Sequence, residues 1–142
     1  MRLFLAVFIV LFFQSCASQY VRIDNKINYL IEYRGENGLD NWQRPFDTVY
    51  TKLGDCEDFA LLKYRLFLDA GANEQDLFFL VVRIKKSDTL HALIEYDGIY
   101  YDSYMKNRDR YNKDFQIIDR FNSFSDTDST YYKKFMRALN NG

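Results

Sequence analysis

Apolar positions recur at helical spacing in three parts of the chain. Residues 21–33 show this pattern and are followed by Gly35, which predicts a first helix. A second pattern begins at Cys56 and ends at Gly71, a residue that readily takes the left-handed conformation of a helix end. Residues 131–139 predict a terminal helix. The polar segments 38–47, 85–88 and 121–128 predict loops or turns, and residues 46–53 leave helix and irregular structure both open.

An apolar run and a hairpin signal predict a sheet between the second and last helices. Leu77–Ile84 is almost continuously apolar and rich in β-forming residues, which predicts a central strand buried on both faces. Residues 89–96 and 99–104 predict two strands joined by Asp97-Gly98, a typical two-residue hairpin turn. Residues 115–118 predict a further strand. We therefore expect an α+β fold with helices packed on an antiparallel sheet.

The predicted hairpin brings two reactive side chains together. A two-residue turn places Leu93 opposite Asp102 and His91 opposite Tyr104. Because side chains alternate along a strand, His91 and Asp102 project from the same face at a diagonal separation of roughly 7 Å. A shift of one residue would place Asp102 on the other side of the sheet.

Composition restricts the class of protein. The 142 residues are 48% hydrophobic, include one proline and carry a formal net charge of -1, which predicts a single compact domain, assigned to residues 16–142. Nucleic-acid binding is not expected, because it depends on concentrated lysine and arginine. The densest basic group, around Lys106 and Arg110, is interleaved with Asp109 and predicts a solvated face.

The first residues predict export. Arg2 precedes an unbroken apolar run at residues 3–13, as in a signal peptide, which we assign to residues 1–15. The following Ser15-Cys16-Ala17 resembles a bacterial lipoprotein motif, so Cys16 is the expected lipidation site. This predicts a periplasmic protein held on a membrane, the outer one in our expectation, by its lipid. An ordinary cleavable signal or an uncleaved anchor is the alternative.

The residues around Cys56 and the hairpin suggest nucleophilic catalysis. Asp55 is a predicted N-cap, so Cys56 begins the helix where the helix dipole favours a thiolate. His91, the only histidine, would act as the base and Asp102 would orient it, which predicts acyl transfer through a thioester. An inert buried cysteine and a structural histidine are the alternatives. The Cys56 backbone N–H is one expected oxyanion donor, and the second is left open among Asn41, Trp42 and Gln43.

Three acids flank the cysteine and affect its expected reactivity. Asp55, Glu57 and Asp58 would raise the pKa of the Cys56 thiol unless a cation offsets their charge. Ca²⁺ prefers such hard oxygen ligands. Simple capping and solvation of the helix end is the other interpretation.

At these positions the chain resembles the bacterial transglutaminase-like cysteine peptidases of the transglutaminase-like and papain-like superfamily. The resemblance is carried by the runs Gly54-Asp55-Cys56-Glu57-Asp58-Phe59-Ala60, Lys63-Tyr64, His91-Ala92-Leu93 and Tyr101-Asp102. It implies a small papain-like core with the nucleophile helix packed on an antiparallel sheet, and a triad of Cys56, His91 and Asp102. It also implies a calcium site that uses Asp55 and Glu57. Characterised members are periplasmic, calcium-dependent proteases that cut surface adhesins and are controlled by a cyclic di-GMP receptor.

The sequence thus predicts an exported cysteine peptidase that acts on a protein or peptide. An exported surface protein is one expected substrate. Transglutaminase-type amide transfer and cell-wall peptide hydrolysis remain alternatives, because water and amines attack the same acyl-enzyme. A non-catalytic binding lipoprotein of the same fold is the third hypothesis. The regulator is left open.

Overall fold

The structure is a computed structural model, and it describes residues 19–35, 41–103 and 114–140. Several predicted features lie outside the described residues: the signal peptide at residues 1–15, Cys16, Tyr104 and the basic group around Lys106 and Arg110. No described helix is long and apolar enough to cross a membrane. The elements are α1 (residues 19–30), β1 (Glu32–Tyr33), α2 (Pro45–Thr51), β2 (Leu53–Gly54), α3 (Cys56–Asp69), a 3-10 turn (Glu74–Asp76), β3 (Leu77–Ile84), β4 (Thr89–Tyr96), β5 (Ile99–Tyr101), β6 (Phe115–Phe121) and α4 (Thr130–Asn140).

Four strands form an antiparallel sheet in the order β5-β4-β3-β6. The bounds of β3 and β4 match the sequence prediction, and β3 is central because strands pair with both of its edges. The side chains of alternate β3 residues pack in two hydrophobic clusters, one on each face of the sheet, as expected for a strand buried on both faces. Phe79 and Val81 face α3, whereas Leu80 and Val82 pack on the opposite face with Leu93.

The β4–β5 turn has the predicted geometry, but β5 is shorter than predicted. Asp97 and Gly98 have φ values of 51° and 74°, as a type I′ turn requires. The predicted register holds up to Ile94 opposite Tyr101, where β5 ends. Asp102 therefore follows the strand, and its paired position opposite Leu93 is not part of the ladder.

The first helix ends earlier than predicted. Residues 31–33 lie outside the helix because the backbone of residues 32–34 pairs with the segment before α3. Glu32 N–H donates to the Lys52 carbonyl at 2.9 Å, and Arg34 N–H donates to that of Gly54 at 2.8 Å. This gives the short parallel pair β1–β2. The local helical pattern could not reveal a partner some twenty residues away.

The remaining differences concern element ends. The sequence left helix and irregular structure both possible for residues 46–53, and most of this segment lies in helix α2. The helix begins at Pro45, a residue suited to the first helical turn. The predicted loop at residues 38–47 is therefore wrong at its end. Strand β6 continues three residues beyond the predicted 115–118, so Phe121 is a strand residue and not the start of a loop. Helix α4 exceeds its prediction by one residue at each end.

Helix α3 is the central element of the core. Asp55, the predicted N-cap, forms a capping box with Asp58 in which each side chain accepts from the other residue's backbone N–H, so the helix begins at Cys56. One side of α3 packs on the sheet and α4, and another side contacts α1. The sheet side contributes Ala60, Leu61, Tyr64 and Phe67, and the α1 side contributes Phe59 and Leu62, which contact Ile27 and Ile31.

Candidate active site

The Cys56 thiol lies against the edge of β4, beyond the last pair that β5 forms with it in the described part of the chain. The two residues that flank a two-residue hairpin turn form backbone hydrogen bonds with each other. In β4, Tyr96 and every second residue before it therefore direct their N–H groups toward β5. Ala92 is one of these, and β5 ends at Tyr101 before reaching it. The Ala92 N–H interacts with the Cys56 sulfur and lowers the pKa of the thiol. The helix start and the strand bearing His91 therefore meet at this point.

His91 and Asp102 are hydrogen-bonded, as the predicted register requires. His91 Nε2 lies 2.8 Å and 2.9 Å from the two Asp102 carboxylate oxygens. The Asp102 side chain is 2% exposed and the His91 side chain 13%. An ionised carboxylate only accepts hydrogen bonds, so the proton lies on Nε2 and Nδ1 is the basic nitrogen of the neutral ring. Ser103 Oγ donates to Asp102 Oδ1 at 3.1 Å and further fixes the carboxylate.

The electrostatic surroundings of the thiol oppose its ionisation. Burial is the main cause that raises the pKa of Cys56, followed by the charge of Glu57 and the hydrogen bond from Cys56 Sγ to Glu57 Oε2 at 3.1 Å. The charge of Asp55 raises this pKa further, and the hydrogen bond from the Ala92 N–H opposes these effects. The predicted influence of the acids is therefore present, but the largest single cause is burial, which spacing does not reveal.

Asp58 ties the loop before α2 to the start of α3. Its two carboxylate oxygens accept hydrogen bonds from Gln43 N and Gln43 Nε2, both at 2.8 Å. Burial raises the pKa of Asp58 to about 7, helped by the charge of Asp55 and opposed by the hydrogen bonds from Gln43 and the Asp55 N–H. Residues 54–58, here called the cysteine turn, thus hold three acidic side chains of low exposure: Asp55, Glu57 and Asp58.

The three residues considered as a second oxyanion donor differ in their surroundings. The Gln43 side-chain amide donates to Asp58. Trp42 packs its ring 5.1 Å from that of Phe79 and contacts the main core. Asn41 is exposed. The Asp58 carboxylate thus positions the side-chain amide of Gln43, whereas the Trp42 ring packs against the core.

The carboxylates around Cys56 are the type of ligand that a hard cation such as Ca²⁺ prefers, although they do not form a complete set of ligands. Asp55 and Glu57 are buried carboxylates with 8% and 9% residue exposure, and oxygen donors of this kind are those Ca²⁺ prefers. Within the parts of the chain that the structure describes, no three His, Cys, Asp or Glu side chains are grouped so as to hold a metal ion. Any ion there would need further oxygens, such as backbone carbonyls or water.

Sequence reasoning missed the residues that surround the backbone of Asp102. Lys63 Nζ donates to the Asp102 carbonyl at 2.8 Å, and Asn28 Nδ2 donates to the same oxygen at 3.0 Å. Asp24 forms an ion pair with Lys63. A lysine inside the apolar pattern of α3 was the available signal, but its partners lie on α1 and beyond β5.

A protein-family model agrees with this arrangement. The model of bacterial transglutaminase-like cysteine proteinases matches residues 11–109, more than half of the chain. The chain belongs to this family. Membership identifies it as a transglutaminase-like cysteine peptidase, as the sequence predicted. A search of curated protein sequences gives no match.

Solved structures agree with this family's fold. Legionella pneumophila LapG superposes with a TM-score of 0.76 at 19% identity, covering 88% of this chain and 77% of LapG. An EGTA-treated form gives a TM-score of 0.75 at 19% identity, with 88% and 78% coverage. A calcium-bound form gives 0.73 at 17% identity, with 86% and 79% coverage. The predicted α+β fold, a papain-like core with the cysteine helix on an antiparallel sheet, is therefore confirmed.

Proposed function

We propose that this chain hydrolyses peptide bonds with Cys56 as nucleophile, His91 as general base and acid, and Asp102 as the residue that orients His91. The observation that carries the proposal is the pairing of His91 Nε2 with both Asp102 oxygens, beside the strand edge where the Cys56 thiol contacts the Ala92 N–H. Nδ1 is thereby the nitrogen that accepts the thiol proton.

The reaction follows from these positions. Nδ1 of His91 takes the Cys56 proton, and the sulfur attacks the scissile carbonyl carbon to give a tetrahedral oxyanion. The backbone N–H of Cys56, at the start of α3, is the proposed oxyanion donor. The C–N bond then breaks, the amine leaves with the proton from His91, and a thioester remains. Water gives a proton to His91 and attacks the thioester, which releases the acid and restores the thiol.

His91 is essential to this scheme because the surroundings of the thiol favour its neutral form. Burial and Glu57 raise the pKa of Cys56, so a thiolate must be formed by transfer to a base positioned for that proton. The chain contains no second histidine. Nothing else in its composition supplies a side chain that ordinarily titrates near neutral pH.

We also propose that Ca²⁺ binds at Asp55 and Glu57. The two buried carboxylates place negative charge beside the thiol, and a cation would offset that charge and favour the thiolate. The related LapG has been solved in calcium-bound and EGTA-treated forms. In a thermal-unfolding assay, Ca²⁺ added after EDTA should raise the melting temperature of the wild type and not that of Glu57→Gln. An equal rise in both proteins would exclude the site.

The proposed place of action is the bacterial envelope. The apolar run at residues 3–13 and Cys16 support export and lipidation, and an exported surface protein is the proposed substrate. Metabolic labelling of cells with a clickable fatty acid should mark the wild-type chain and not Cys16→Ser. Labelling of both variants, or of neither, would contradict the lipid anchor.

Hydrolysis can be tested without knowing the natural substrate. The wild type, Cys56→Ser and His91→Ala would be incubated with a peptide library from bacterial envelope proteins, in heavy-oxygen water containing Ca²⁺. The proposal predicts new peptide C-termini that carry the heavy oxygen only with the wild type. Cleavage that persists in Cys56→Ser would refute the mechanism, as would the absence of cleavage by the wild type. Incorporation of an added amine in place of water would indicate transfer instead.

A further inference from the structure

The backbone carbonyl of Asp102 is held by two side chains from different helices. Lys63 Nζ, on α3, donates to it at 2.8 Å, and Asn28 Nδ2, on α1, donates at 3.0 Å. Asp102 lies immediately after β5, where the strand ladder no longer fixes the backbone. These two donors therefore replace the ladder at the point where it ends.

The lysine reaches this carbonyl from a fully buried position. Its side chain is 0% exposed, and its ammonium lies 2.6 Å from an Asp24 carboxylate oxygen that belongs to a 2% exposed side chain. Burying an ion pair is costly, and an apolar pair of similar volume is often at least as stable. Packing alone therefore does not require a lysine here. The ammonium also donates to the Asp102 carbonyl, which an apolar side chain could not do.

Fixing the Asp102 backbone also affects the His91 imidazole, because the Asp102 side chain is hydrogen-bonded to it. The same Asp102 whose carbonyl is held by Lys63 and Asn28 presents its carboxylate to His91 Nε2 at 2.8 Å and 2.9 Å. Catalytic groups require placement within about 0.5 Å of the productive geometry. A backbone free to move at Asp102 would lose that placement even if every triad side chain were present.

We propose that Lys63 and Asn28, with Asp24 holding the lysine, are positioning residues that fix the Asp102 backbone and thereby the orientation and tautomer of His91. This inference rests on the proposed function, because it assigns the network a role in the Cys56, His91 and Asp102 site. It adds three residues, from α1 and α3, that act through the backbone of Asp102.

The test combines a double variant with a milder one. Asp24→Asn with Lys63→Met removes both charges of the ion pair, so neither is left buried without the other. Asn28→Ala removes the second donor from a half-buried site. Lys63→Arg retains a charged donor and serves as the conservative variant. Ile27→Val, next to Asn28 on α1 and buried against α3, is the matched control for a small loss of packing. Folding would be followed by circular dichroism.

Two measurements separate positioning from a structural role. His91 is the only histidine, so the nitrogen-15 shifts of its ring report one imidazole and identify the protonated nitrogen. Alkylation of Cys56 by iodoacetamide, located by mass spectrometry with Ca²⁺ present, reports thiol activation. The wild type, Ile27→Val and Lys63→Arg should show a fixed Nε2–H tautomer. Asn28→Ala and the double variant should show averaged tautomers and alkylate about 10-fold to 100-fold more slowly.

Wild-type nitrogen shifts and alkylation rates in both Asn28→Ala and the double variant would overturn the inference. If the double variant does not fold, Asn28→Ala alone decides it. Failure of the proposed function gives a different result: the wild type itself would alkylate no faster than His91→Ala. The nitrogen shifts would then still decide whether the network fixes the ring.

Discussion

Removing the Lys63 ammonium alone should destabilise the fold far more than removing the whole ion pair. Lys63→Met leaves the Asp24 carboxylate, 2% exposed and previously 2.6 Å from the ammonium, buried without its lysine. Breaking a buried pair in this way costs about 3–5 kcal/mol of unfolding free energy. Adding Asp24→Asn removes the remaining charge, so the double variant should recover about 2 kcal/mol or more of that loss.

Urea unfolding followed by tryptophan fluorescence measures this directly, because Trp42 is the only tryptophan and packs against the core residue Phe79. Arg65 and Asp69 on the same helix form a matched surface pair at 3.0 Å, with side chains 53% and 50% exposed. Arg65→Met should therefore cost less than about 1 kcal/mol. A Lys63→Met cost as small as this control, or no recovery on adding Asp24→Asn, would refute the reasoning.

Three further predictions concern the cysteine turn. A Cβ at Gly54 would lie 2.9 Å from Asp58 Cβ and 3.3 Å from Thr48 Cγ2, so Gly54→Ala should lower the urea-unfolding free energy by about 1–3 kcal/mol; an unchanged midpoint would contradict this. Because the folded-state pKa of Asp58 is raised to about 7, the contribution of Asp58 to the stability of the calcium-free protein should be fully present below its unfolded value near 4 and be lost as the pH rises through 7; a urea midpoint that falls no more over this range than that of Asp58→Asn would disprove it. Since Glu57 raises the pKa of Cys56, Glu57→Gln in EDTA should speed Cys56 alkylation at neutral pH; a slower rate would show that the carboxylate assists the thiol.

The parts of the fold set by local chemistry could be predicted from the sequence. Asp55 and Asp58 cap a helix whose first residue is Cys56, and Asp97-Gly98 fixes the hairpin register, because each depends on residues close together in the chain. The register in turn brought His91 to Asp102 through a pattern that alternates with period two. These features locate the candidate site.

What depends on distant partners could not be predicted. Three features depend on how segments that are far apart in the chain pack together. They are the pairing of β1 with β2, the end of β5 before Asp102 and the burial of the Cys56 thiol. The Lys63 ammonium is the clearest case. Its bond to the Asp102 carbonyl joins residues 39 positions apart. The apolar pattern of α3 contains this lysine but does not indicate its partner.

The rate of Cys56 alkylation in the wild type and in His91→Ala tests the central claim most directly. At neutral pH with Ca²⁺ present, the wild type should react faster than the cysteine of an unstructured peptide, and His91→Ala should react at least about 10-fold more slowly than the wild type, because general-base assistance is commonly larger than this. A wild-type rate no higher than that of the peptide, left unchanged by His91→Ala, would contradict the assignment of Cys56 and His91 as nucleophile and base.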